Sequence, residues 1–303
     1  MITRRRMLSI LGGMTALPLM GANGFASPQK WQGIALGAEA SIVLDHPDAD
    51  RLIEMARLEM IRLENIFSLY KGNSQLSQLN RTGQLSAPAL ELVELLHLSA
   101  RLHRETGGIF DPTIQPLWDL YAQEYAAGST PSKADIAATQ AKIGMNKVVI
   151  GSDQIRFAVP GMGLTFNGIA QGFIADKVTH FLRQEGIQNV LVNTGEIAAM
   201  GHAPNGQPWP VTLQETQETL GLADQAIATS APRGTHFDPA GEIGHILHPE
   251  LGQPGGQWRS LSVVDASAAR ADGLSTAFCL MDSEQIDTVE GAHKVLFGAA
   301  LQS

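Results

Sequence analysis

An aspartate and a threonine four residues apart are the part of this chain whose types and spacing most clearly suggest chemistry. Asp272 and Thr276 lie in A-R-A-D-G-L-S-T-A, residues 269–277, which reads as the opening turns of a helix. Side chains four residues apart lie on one helix face, so this carboxylate and hydroxyl can share one cation. Mg²⁺ prefers such oxygen ligands. An aspartate that caps a helix, followed by an ordinary helical threonine, gives the same spacing. The stretch alone leaves both readings open.

A histidine in an apolar segment is the second candidate. His245 occurs in G-H-I-L-H-P, residues 244–249, which we interpret as a strand with His245 and Ile246 on opposite faces. Imidazole exchanges a proton near neutral pH and can act as a general base. A histidine that only satisfies structural hydrogen bonds fits the pattern equally well, so the sequence leaves its role open.

Two glycines bracket the predicted start of a long helix. Gly168 and Gly172 lie in N-G-I-A-Q-G, residues 167–172, where backbone N–H groups can face a phosphate without a Cβ in the way. The segment lacks the spacing of a P-loop and of a dinucleotide-binding fingerprint. Glycines needed only for a turn or for packing would look the same, so the segment does not name a ligand.

Other polar residues fall in segments that read as loops at strand ends and helix starts, where binding groups usually lie. Tyr70 follows a helix whose apolar face ends at Phe67, and it can stack on an aromatic ligand or close the core. Asp111, before Pro112, can accept backbone N–H bonds in an Asx-turn. The remaining candidates in these segments are Asn167, Gln171, Asn193, Gly195 and Glu196.

The first 26 residues have the pattern of an export signal. T-R-R-R-M-L-S, residues 3–9, is a twin-arginine pattern, and an apolar stretch without charges follows at 10–20. Small residues at Gly24 and Ala26 match a signal peptidase site. The apolar stretch is short for a membrane span. We therefore expect export by the twin-arginine route, removal of 1–26 in the periplasm and no membrane insertion of the mature chain. A retained N-terminal anchor is the alternative.

Charge and cysteine content exclude some classes of partner. Removal of residues 1–26 takes away three arginines and no acid, so the formal net charge goes from −9 to −12. An acidic chain without a basic block argues against nucleic acid and anionic membrane surfaces as partners. The single cysteine, Cys279, cannot form an intrachain disulfide, and its apolar neighbours predict that it is buried.

Helices and strands alternate along the chain without a strict βαβ order, which predicts one α+β domain over residues 27–303 with a mixed, mainly antiparallel sheet. Five helices are predicted. The first begins after Asp48 or Asp50 and reaches Phe67, and the second ends before Gly107. The third runs from Ser132 to Ile143, the fourth lies within 166–185, and the fifth contains Asp272. The predicted strands are 38–44, 147–150, 154–159, 190–193, 197–200, 209–213, 225–229, 244–247, 261–264 and 294–297. Polar loops are predicted at 71–80 and 121–130.

Seven segments, in order, resemble the motifs of the ApbE-like FAD:protein FMN transferases. They are F-S-L-Y with S-Q-L-S-Q-L-N, G-G-I-F-D-P-T, N-G-I-A-Q-G-F-I-A-D, L-V-N-T-G-E-I, A-T-S-A-P, G-H-I-L-H-P-E-L-G-Q-P and S-A-A-R-A-D-G-L-S-T-A. The resemblance runs from about Ala35 to Leu280. One motif would mean little, whereas seven in the same order are specific.

The resemblance implies an exported enzyme with the family's own α+β fold, which binds FAD and Mg²⁺. Such an enzyme transfers FMN to a threonine or serine hydroxyl of an acceptor protein and releases AMP. The resemblance makes Asp272 and Thr276 metal ligands together with a backbone carbonyl near Ala170, and it makes His245 the base for the acceptor hydroxyl. The cofactor-binding positions it implies are Tyr70, Asp111, Asn167, Gly168, Gln171, Asn193, Gly195 and Glu196.

Three positions depart from the family pattern. Gln171 stands where a lysine is usual, Thr194 replaces the first glycine of a usual pair, and His248 replaces the aspartate that commonly precedes the proline. These changes bear on FAD affinity and on rate. They keep two alternatives open: a non-catalytic carrier of FAD, and a metal-dependent FAD pyrophosphatase that uses water as the nucleophile.

The signal, the length and these substitutions together resemble the NosX-like subgroup, which accompanies nitrous oxide respiration. That resemblance implies a membrane-anchored electron-transfer protein as the acceptor, in service of nitrous oxide reductase.

Overall fold

A seven-stranded antiparallel sheet with helices on one face is the frame of the protein. The computed structural model describes residues 14–15, 28–291 and 293–300. The predicted export signal, residues 1–26, therefore lies outside the described residues except for Met14 and Thr15. The strands are β1 (Met14–Thr15), β2 (Gln29–Ala35), β3 (Ala38–Leu44), β4 (Gln84–Ser86), β5 (Val148–Ile150), β6 (Gln154–Phe157), β7 (Val190–Asn193), β8 (Ile197–Met200), β9 (Trp209–Leu213), β10 (Thr219–Leu222), β11 (Gln225–Ser230), β12 (Leu247–His248), β13 (Gln253–Pro254), β14 (Leu261–Asp265) and β15 (Lys294–Phe297).

The helices lie between these strands in the chain. They are α1 (Ala49–Phe67), α2 (Gln75–Thr82), α3 (Leu90–Glu105), α4 (Gln115–Ala126), α5 (Lys133–Gln140), α6 (Ala170–Gln184), α7 (Ala268–Phe278) and α8 (Ser283–Asp287), with 3-10 turns at Pro112–Ile114 and Met145–Lys147. No helix in the described part of the chain is both long enough and apolar enough to span a bilayer.

The main sheet has the order β15-β14-β11-β8-β7-β3-β2. Every strand pair among the described residues is antiparallel, so the predicted fold class is confirmed. Smaller sheets have the orders β1-β9-β10, β4-β6-β5 and β12-β13. Helices α6 and α7 pack on each other, and α7 also packs on β11 and β14. The end of the sheet that carries the β2–β3 and β7–β8 turns therefore lies beside both helices.

Successive residues of a strand point to opposite faces of the sheet, and apolar side chains are buried on both faces. In β3, Ile42 and Leu44 belong to the main core shared with the helices, whereas Val43 packs with Trp209 of the β9–β10 hairpin. The Trp209 indole N–H also donates to the Met200 carbonyl, at 3.1 Å. The hairpin thus covers the face that the helices leave open.

Most predicted elements are found close to their predicted bounds. The apolar face of α1 is buried as expected, and every predicted strand except 244–247 agrees with an observed one to within two residues. Ser132 caps α5, as predicted: its Oγ accepts the Asp135 N–H. Asp48 occupies the N-cap position of α1, but its side chain makes no capping bond. Strands β1, β2, β4, β10 and β13 were not predicted.

Three predictions are wrong. The predicted loop 71–80 contains the start of α2, because Ser74 Oγ caps that helix by accepting the Ser77 N–H at 3.0 Å and Leu76 and Leu79 are fully buried. The predicted excursion 121–130 begins inside α4, where Tyr121 packs on Phe237. The predicted strand 244–247 is mostly irregular: Gly244 makes an isolated bridge with His236, and a strand begins only at Leu247.

Candidate active site

A cleft of about 1070 Å³ lies at the end of the sheet that carries the β2–β3 and β7–β8 turns. Its walls include Leu36 between β2 and β3, Glu196 between β7 and β8, Ser230 at the end of β11 and Phe297 at the end of β15. Ligand pockets usually measure about 300–1000 Å³, so this cleft can take a large ligand. The predicted site residues that line it are Tyr70, Asp111, Asn167, Gly168, Ala170, Gln171, Glu196, His245, Asp272 and Thr276.

Helix α7 presents Asp272 and Thr276 to the cleft. Ser267 is the N-cap of this helix, since its Oγ accepts the Arg270 N–H at 3.2 Å. Asp272 therefore lies inside the helix, and the helix-cap interpretation of Asp272 is wrong. Its side chain is buried, and its Oδ2 accepts the Gly172 N–H at 3.0 Å.

Two buried carboxyl groups face this part of the cleft without a basic partner. Burial raises the pKa of Asp272 to about 7; the Gly172 N–H opposes this shift and the charge of Asp176 adds to it. Burial, with the nearby charge of Asp272, holds the pKa of Glu196 well above its usual range. None of the ion pairs in the described residues includes either group. A bound cation would offset the cost of keeping these carboxylates charged.

The start of α6 lies directly against α7 because two glycines allow it. A Cβ on Gly168 would lie 2.7 Å from Thr276 Oγ1, and a Cβ on Gly172 would lie 2.2 Å from the Ala268 carbonyl oxygen. Both distances are too short for real atoms, so a side chain at either position would push the helices apart. The glycines of this segment thus have a packing role, and Gly168 lets the Thr276 side chain lie close to the backbone at the start of α6.

Asp176 fixes the two helices together. It lies in α6, and its carboxylate accepts the Ser267 hydroxyl at 2.7 Å and the N–H groups of Ala268 and Ala269 at 2.8 and 3.0 Å. These bonds satisfy the start of α7, whose first N–H groups have no partner within the helix. Asp176 therefore sets the position from which α7 presents Asp272.

The donor atoms at this place fit Mg²⁺. Asp272 offers a carboxylate, Thr276 a hydroxyl, and Ala170, which lines the cleft at the first turn of α6, a backbone carbonyl. Among the described residues there is no group of three or more His, Cys, Asp or Glu side chains placed to hold a metal. One carboxylate with neutral oxygens suits a hard cation that keeps water and phosphate oxygens as further ligands.

His245 faces the cleft with a defined ring orientation. Its Nδ1 lies 3.0 Å from the Thr235 carbonyl oxygen and 3.2 Å from that of Pro232. Carbonyl oxygens only accept, so Nδ1 carries the proton and donates. The unprotonated Nε2 is then the nitrogen that can take a proton. Burial lowers the pKa of His245, which keeps the ring neutral at pH 7.

Packing holds the loop that orients His245. Phe237, in this loop, lies 5.4 Å from the ring of Trp118 and 5.6 Å from that of Tyr121. Gly244 lies so close to the Pro232 carbonyl that a Cβ would be 2.2 Å from its oxygen. The apolar residues that suggested a strand here are therefore buried by loop packing.

Tyr70 and Asp111 have clear but different positions. Tyr70 is 63% exposed at the cleft, so its ring is open to a ligand and does not close the core. Asp111 is buried and makes the predicted Asx-turn: its Oδ1 accepts the Thr113 N–H at 2.8 Å and the Thr113 hydroxyl at 2.6 Å. Burial raises the pKa of Asp111, and the bonds from Thr113 oppose that shift.

Asn193 and Gly195 are the two predicted site residues that do not line the cleft. They shape the β7–β8 turn: Asn193 Oδ1 accepts the Gly195 N–H at 2.9 Å, and Gly195 has a φ of +105°. This turn presents Glu196, whose Oε2 accepts the Thr229 N–H at 3.0 Å. Asn167 is exposed at the cleft, beside Gly168.

The three departures from the family pattern have structural explanations. Thr194 is fully buried, and its hydroxyl donates to the Gln171 carbonyl at 2.7 Å, which ties the β7–β8 turn to α6. The Gln171 amide covers Gly195, where a Cβ would lie 2.4 Å from Nε2. Nδ1 of His248 accepts the N–H groups of Glu250 and Leu251 at 3.2 and 3.3 Å, as an aspartate carboxylate would.

Sequence reasoning missed Asp176, Ser230 and Ser275. Asp176 is the last residue of N-G-I-A-Q-G-F-I-A-D, and Ser230 lies in A-T-S-A-P, so the motifs contained both signals. Ser275 precedes Thr276 and reads as an ordinary helical serine. Their contacts cross between elements, which spacing along the chain does not reveal.

Comparison with known proteins decides the family. A model of the ApbE family matches residues 36–296. The chain belongs to the ApbE family. The predicted family is therefore confirmed, and the matched residues include every predicted site residue.

Two curated relatives of this ApbE family member carry the same name. The chain is 28% identical over 262 residues to the FAD:protein FMN transferase of Vibrio cholerae, covering 82% of this chain and 76% of that protein. It is 28% identical over 244 residues to the FAD:protein FMN transferase of Haemophilus influenzae, covering 74% of this chain and 70% of that protein.

Solved structures agree on the fold. The apo crystal structure of the Pseudomonas stutzeri flavinyl transferase ApbE superposes with a TM-score of 0.79 at 25% identity, covering 92% of this chain and 97% of that one. An ApbE protein from Thermotoga maritima has the same TM-score, 0.79, at 22% identity, covering 91% of this chain and 97% of that one. The predicted ApbE-like fold is confirmed.

Proposed function

We propose that this ApbE family member is an FAD:protein FMN transferase. It cleaves FAD, attaches FMN through a phosphoester to a threonine or serine hydroxyl of an acceptor protein, and releases AMP. The observation that carries the proposal is that one cleft holds both the Asp272–Thr276 pair and a histidine, His245, with a free ring nitrogen. The names of the relatives from Vibrio cholerae and Haemophilus influenzae support it.

The reaction depends on Mg²⁺ in this proposal. Asp272 and Thr276 hold the ion together with the Ala170 carbonyl. When bound, Mg²⁺ supplies charge neutralisation for the pyrophosphate as its bond breaks. The protein adds the N-terminal end of α6, which begins inside the cleft and favours an anion by its dipole.

His245 acts as the general base in this proposal. Its Nε2 accepts the proton of the acceptor hydroxyl while that oxygen attacks the phosphorus of the FMN half. The new oxygen–phosphorus bond forms, the pyrophosphate bridge breaks, and AMP leaves with the bridging oxygen. The hydrogen bonds from Nδ1 to the Pro232 and Thr235 carbonyls stabilise the protonated ring that results.

Tyr70 packs on the flavin in this proposal, because it is the most exposed aromatic residue among the described residues that line the cleft. Gln171 contributes no charge, so binding of the FAD phosphates depends on the metal and the helix end. The affinity for FAD is consequently more sensitive to loss of Mg²⁺ than it would be with a lysine at this position.

We also propose that the protein works in the periplasm after export by the twin-arginine route. The pattern at residues 3–9 supports this. Replacement of Arg4 and Arg5 by lysine should leave the protein in the cytoplasm, as measured by cell fractionation. Fractionation that still finds it in the periplasm would contradict the route.

The acceptor in this proposal is a membrane-anchored electron-transfer protein that serves nitrous oxide reductase. The substitutions at 171, 194 and 248, which resemble the NosX-like subgroup, support it. Deletion of the gene should leave such an acceptor without covalent flavin and should lower nitrous oxide reduction in cells. A fully flavinylated acceptor in the deletion strain would contradict this assignment.

The transferase proposal is tested by incubating the protein with FAD, Mg²⁺ and an acceptor that carries a target threonine. Covalent flavin fluorescence on the acceptor in a denaturing gel, with an equal amount of AMP, is the expected result. Replacement of the target threonine by valine is the control. Bound FAD that yields neither FMN nor AMP would identify a carrier, and free FMN formed without acceptor would identify a pyrophosphatase.

A further inference from the structure

A chain of three hydroxyl groups connects the sheet to the proposed metal ligands. Ser230, the last residue of β11, has its Oγ 2.8 Å from Ser275 Oγ and 3.3 Å from Thr276 Oγ1. Ser275 Oγ in turn lies 3.0 Å from the backbone carbonyl oxygen of Asp272. The chain thus begins at one proposed metal ligand, Thr276, and ends on the backbone of the other.

The carbonyl fixes the direction of every hydrogen bond in this chain. A carbonyl oxygen can only accept, so Ser275 uses its single hydroxyl proton toward Asp272. Ser275 Oγ must then accept from Ser230, which uses its own single proton in that bond. Ser230 Oγ can therefore only accept from Thr276. The Thr276 proton points to Ser230, away from any ion that its oxygen binds.

We propose that Ser230 and Ser275 are positioning residues that orient the Thr276 hydroxyl so that its lone pairs face the cation. This inference rests on the proposed function only through the metal site. A hydroxyl binds a cation through oxygen lone pairs, so its proton needs an acceptor elsewhere. Among the described residues, Ser230 is the one side chain that gives the Thr276 hydroxyl such an acceptor.

The surroundings keep the chain in place. The backbone of Ser230 is fixed by pairing with Leu261 of β14, and Ser275 is fully buried beneath it. The bond from Thr276 to Ser230, at 3.3 Å, is longer than the usual 2.7–2.8 Å of hydroxyl bonds. A cation on the Thr276 oxygen makes its proton a stronger donor, so binding of the ion strengthens the weakest bond of the chain.

Without Ser230 as its acceptor, the Thr276 hydroxyl can donate to another group. Helical threonines readily donate to the carbonyl four residues earlier, which here belongs to Asp272. In Ser230→Ala the Thr276 hydroxyl loses its partner on the sheet, and in Ser275→Ala that carbonyl loses its present donor. Both changes turn Thr276 toward its own helix and away from the cation.

The test is direct titration of Mn²⁺ into the protein, followed by electron paramagnetic resonance, with FAD present and no acceptor protein. We expect Ser230→Ala and Ser275→Ala each to raise the dissociation constant for Mn²⁺ about tenfold or more, as loss of groups that orient ligands commonly does. Ser230→Thr keeps the hydroxyl and should bind Mn²⁺ as the original protein does. Thr276→Val removes the ligand and sets the size of the full loss.

Ser262→Ala is the matched control. Ser262 is a buried serine on the neighbouring strand β14. Its hydroxyl bonds to Thr229, at 2.7 Å, and not to Ser230, Ser275 or Thr276. It should leave Mn²⁺ affinity unchanged. FAD affinity measured without metal should also stay unchanged in Ser275→Ala, whose buried side chain does not line the cleft, which a general structural role would not predict.

The possible results distinguish a failure of this inference from a failure of the proposed function. Unchanged Mn²⁺ affinity in Ser230→Ala and Ser275→Ala, or in Thr276→Val, would overturn it even if the original protein transfers FMN. Failure of FMN transfer by the original protein, with Mn²⁺ affinity weakened as expected in the variants, would instead contradict the proposed function and leave the positioning role in place. If Ser230→Ala is unstable, Ser275→Ala and Ser230→Thr test the positioning role instead. Ser275→Ala breaks the series of hydrogen bonds between the hydroxyl groups, and Ser230→Thr preserves it.

Discussion

Gly168→Ala tests how closely the metal site depends on the close approach of Gly168 to Thr276. The added Cβ would lie 2.7 Å from Thr276 Oγ1 and 3.0 Å from its Cγ2, whereas an ordinary contact begins at 3.4 Å. Relief requires a movement of several tenths of an ångström. Mg²⁺ demands ligands at about 2.0–2.1 Å in near-ideal geometry, so a displaced Thr276 hydroxyl no longer fits.

The expected size follows from the cost of overpacking. Such insertions cost about 1–3 kcal/mol, and each 1.4 kcal/mol is tenfold in affinity. If the strain is released by displacing Thr276, the dissociation constant for Mg²⁺ rises about 5- to 150-fold. The assay is isothermal titration of Mg²⁺ together with the Mg²⁺ dependence of AMP release.

Gly163→Ala is the matched control. Gly163 lies in the same loop, but its nearest neighbour to a new Cβ is Gln115, at 3.5 Å, which is an ordinary contact. Its Mg²⁺ affinity should not change. The double variant Gly168→Ala with Thr276→Ser lacks the Cγ2 contact and should recover part of the affinity. Gly168→Ala with unchanged Mg²⁺ affinity and unchanged stability would refute this reasoning about the site.

Three further predictions concern other parts of the site. Asp176→Asn should lower the free energy of unfolding by about 1–3 kcal/mol in denaturant titrations, because it disrupts the bonds to the start of α7; Asp48→Asn, at a position that makes no capping bond, should change it little. The pKa of His245 is lowered by burial, so the transfer rate should rise with pH through a midpoint below the ordinary 6.5 and stay flat through neutrality; a midpoint above 7 would contradict its role as a neutral base, and His245→Gln should abolish transfer while FAD still binds. Gln171→Lys should tighten FAD binding in the absence of Mg²⁺, measured by quenching of flavin fluorescence, since it adds a positive charge to the cleft; equal affinity would show that position 171 does not face the phosphates.

Much of the fold could be predicted because many of its helices and strands have a local pattern of apolar residues in the sequence. Helix α1 repeats apolar residues at helical spacing over many residues, and strands such as β7 and β14 are short valine-rich runs bounded by turn residues. Helix α2 was missed because its polar composition hides two buried leucines, Leu76 and Leu79. The segment 244–247 misled because burial by loop packing gives the same apolar pattern as burial in a sheet.

For the candidate site, too, some features could be predicted from the sequence and others could not. The spacing of Asp272 and Thr276 predicted correctly that they share a helix, and Asp111 was expected in the Asx-turn that it forms. The close approach of Gly168 to Thr276 and the bonds of Ser230 depend on how α6, α7 and β11 pack. Such contacts between distant parts of the chain leave no periodic signal, so only the fold reveals them.

The central claim is that this cleft moves FMN from FAD to a protein hydroxyl with the help of Asp272. The most direct measurement is the intact mass of an acceptor protein co-expressed with the chain, in parallel with the Asp272→Ala variant. We expect an acceptor heavier by one FMN, mapped to a single threonine or serine, with the original chain and an unmodified acceptor with the variant. An unmodified acceptor in both cultures, or an equally modified one in both, would contradict it.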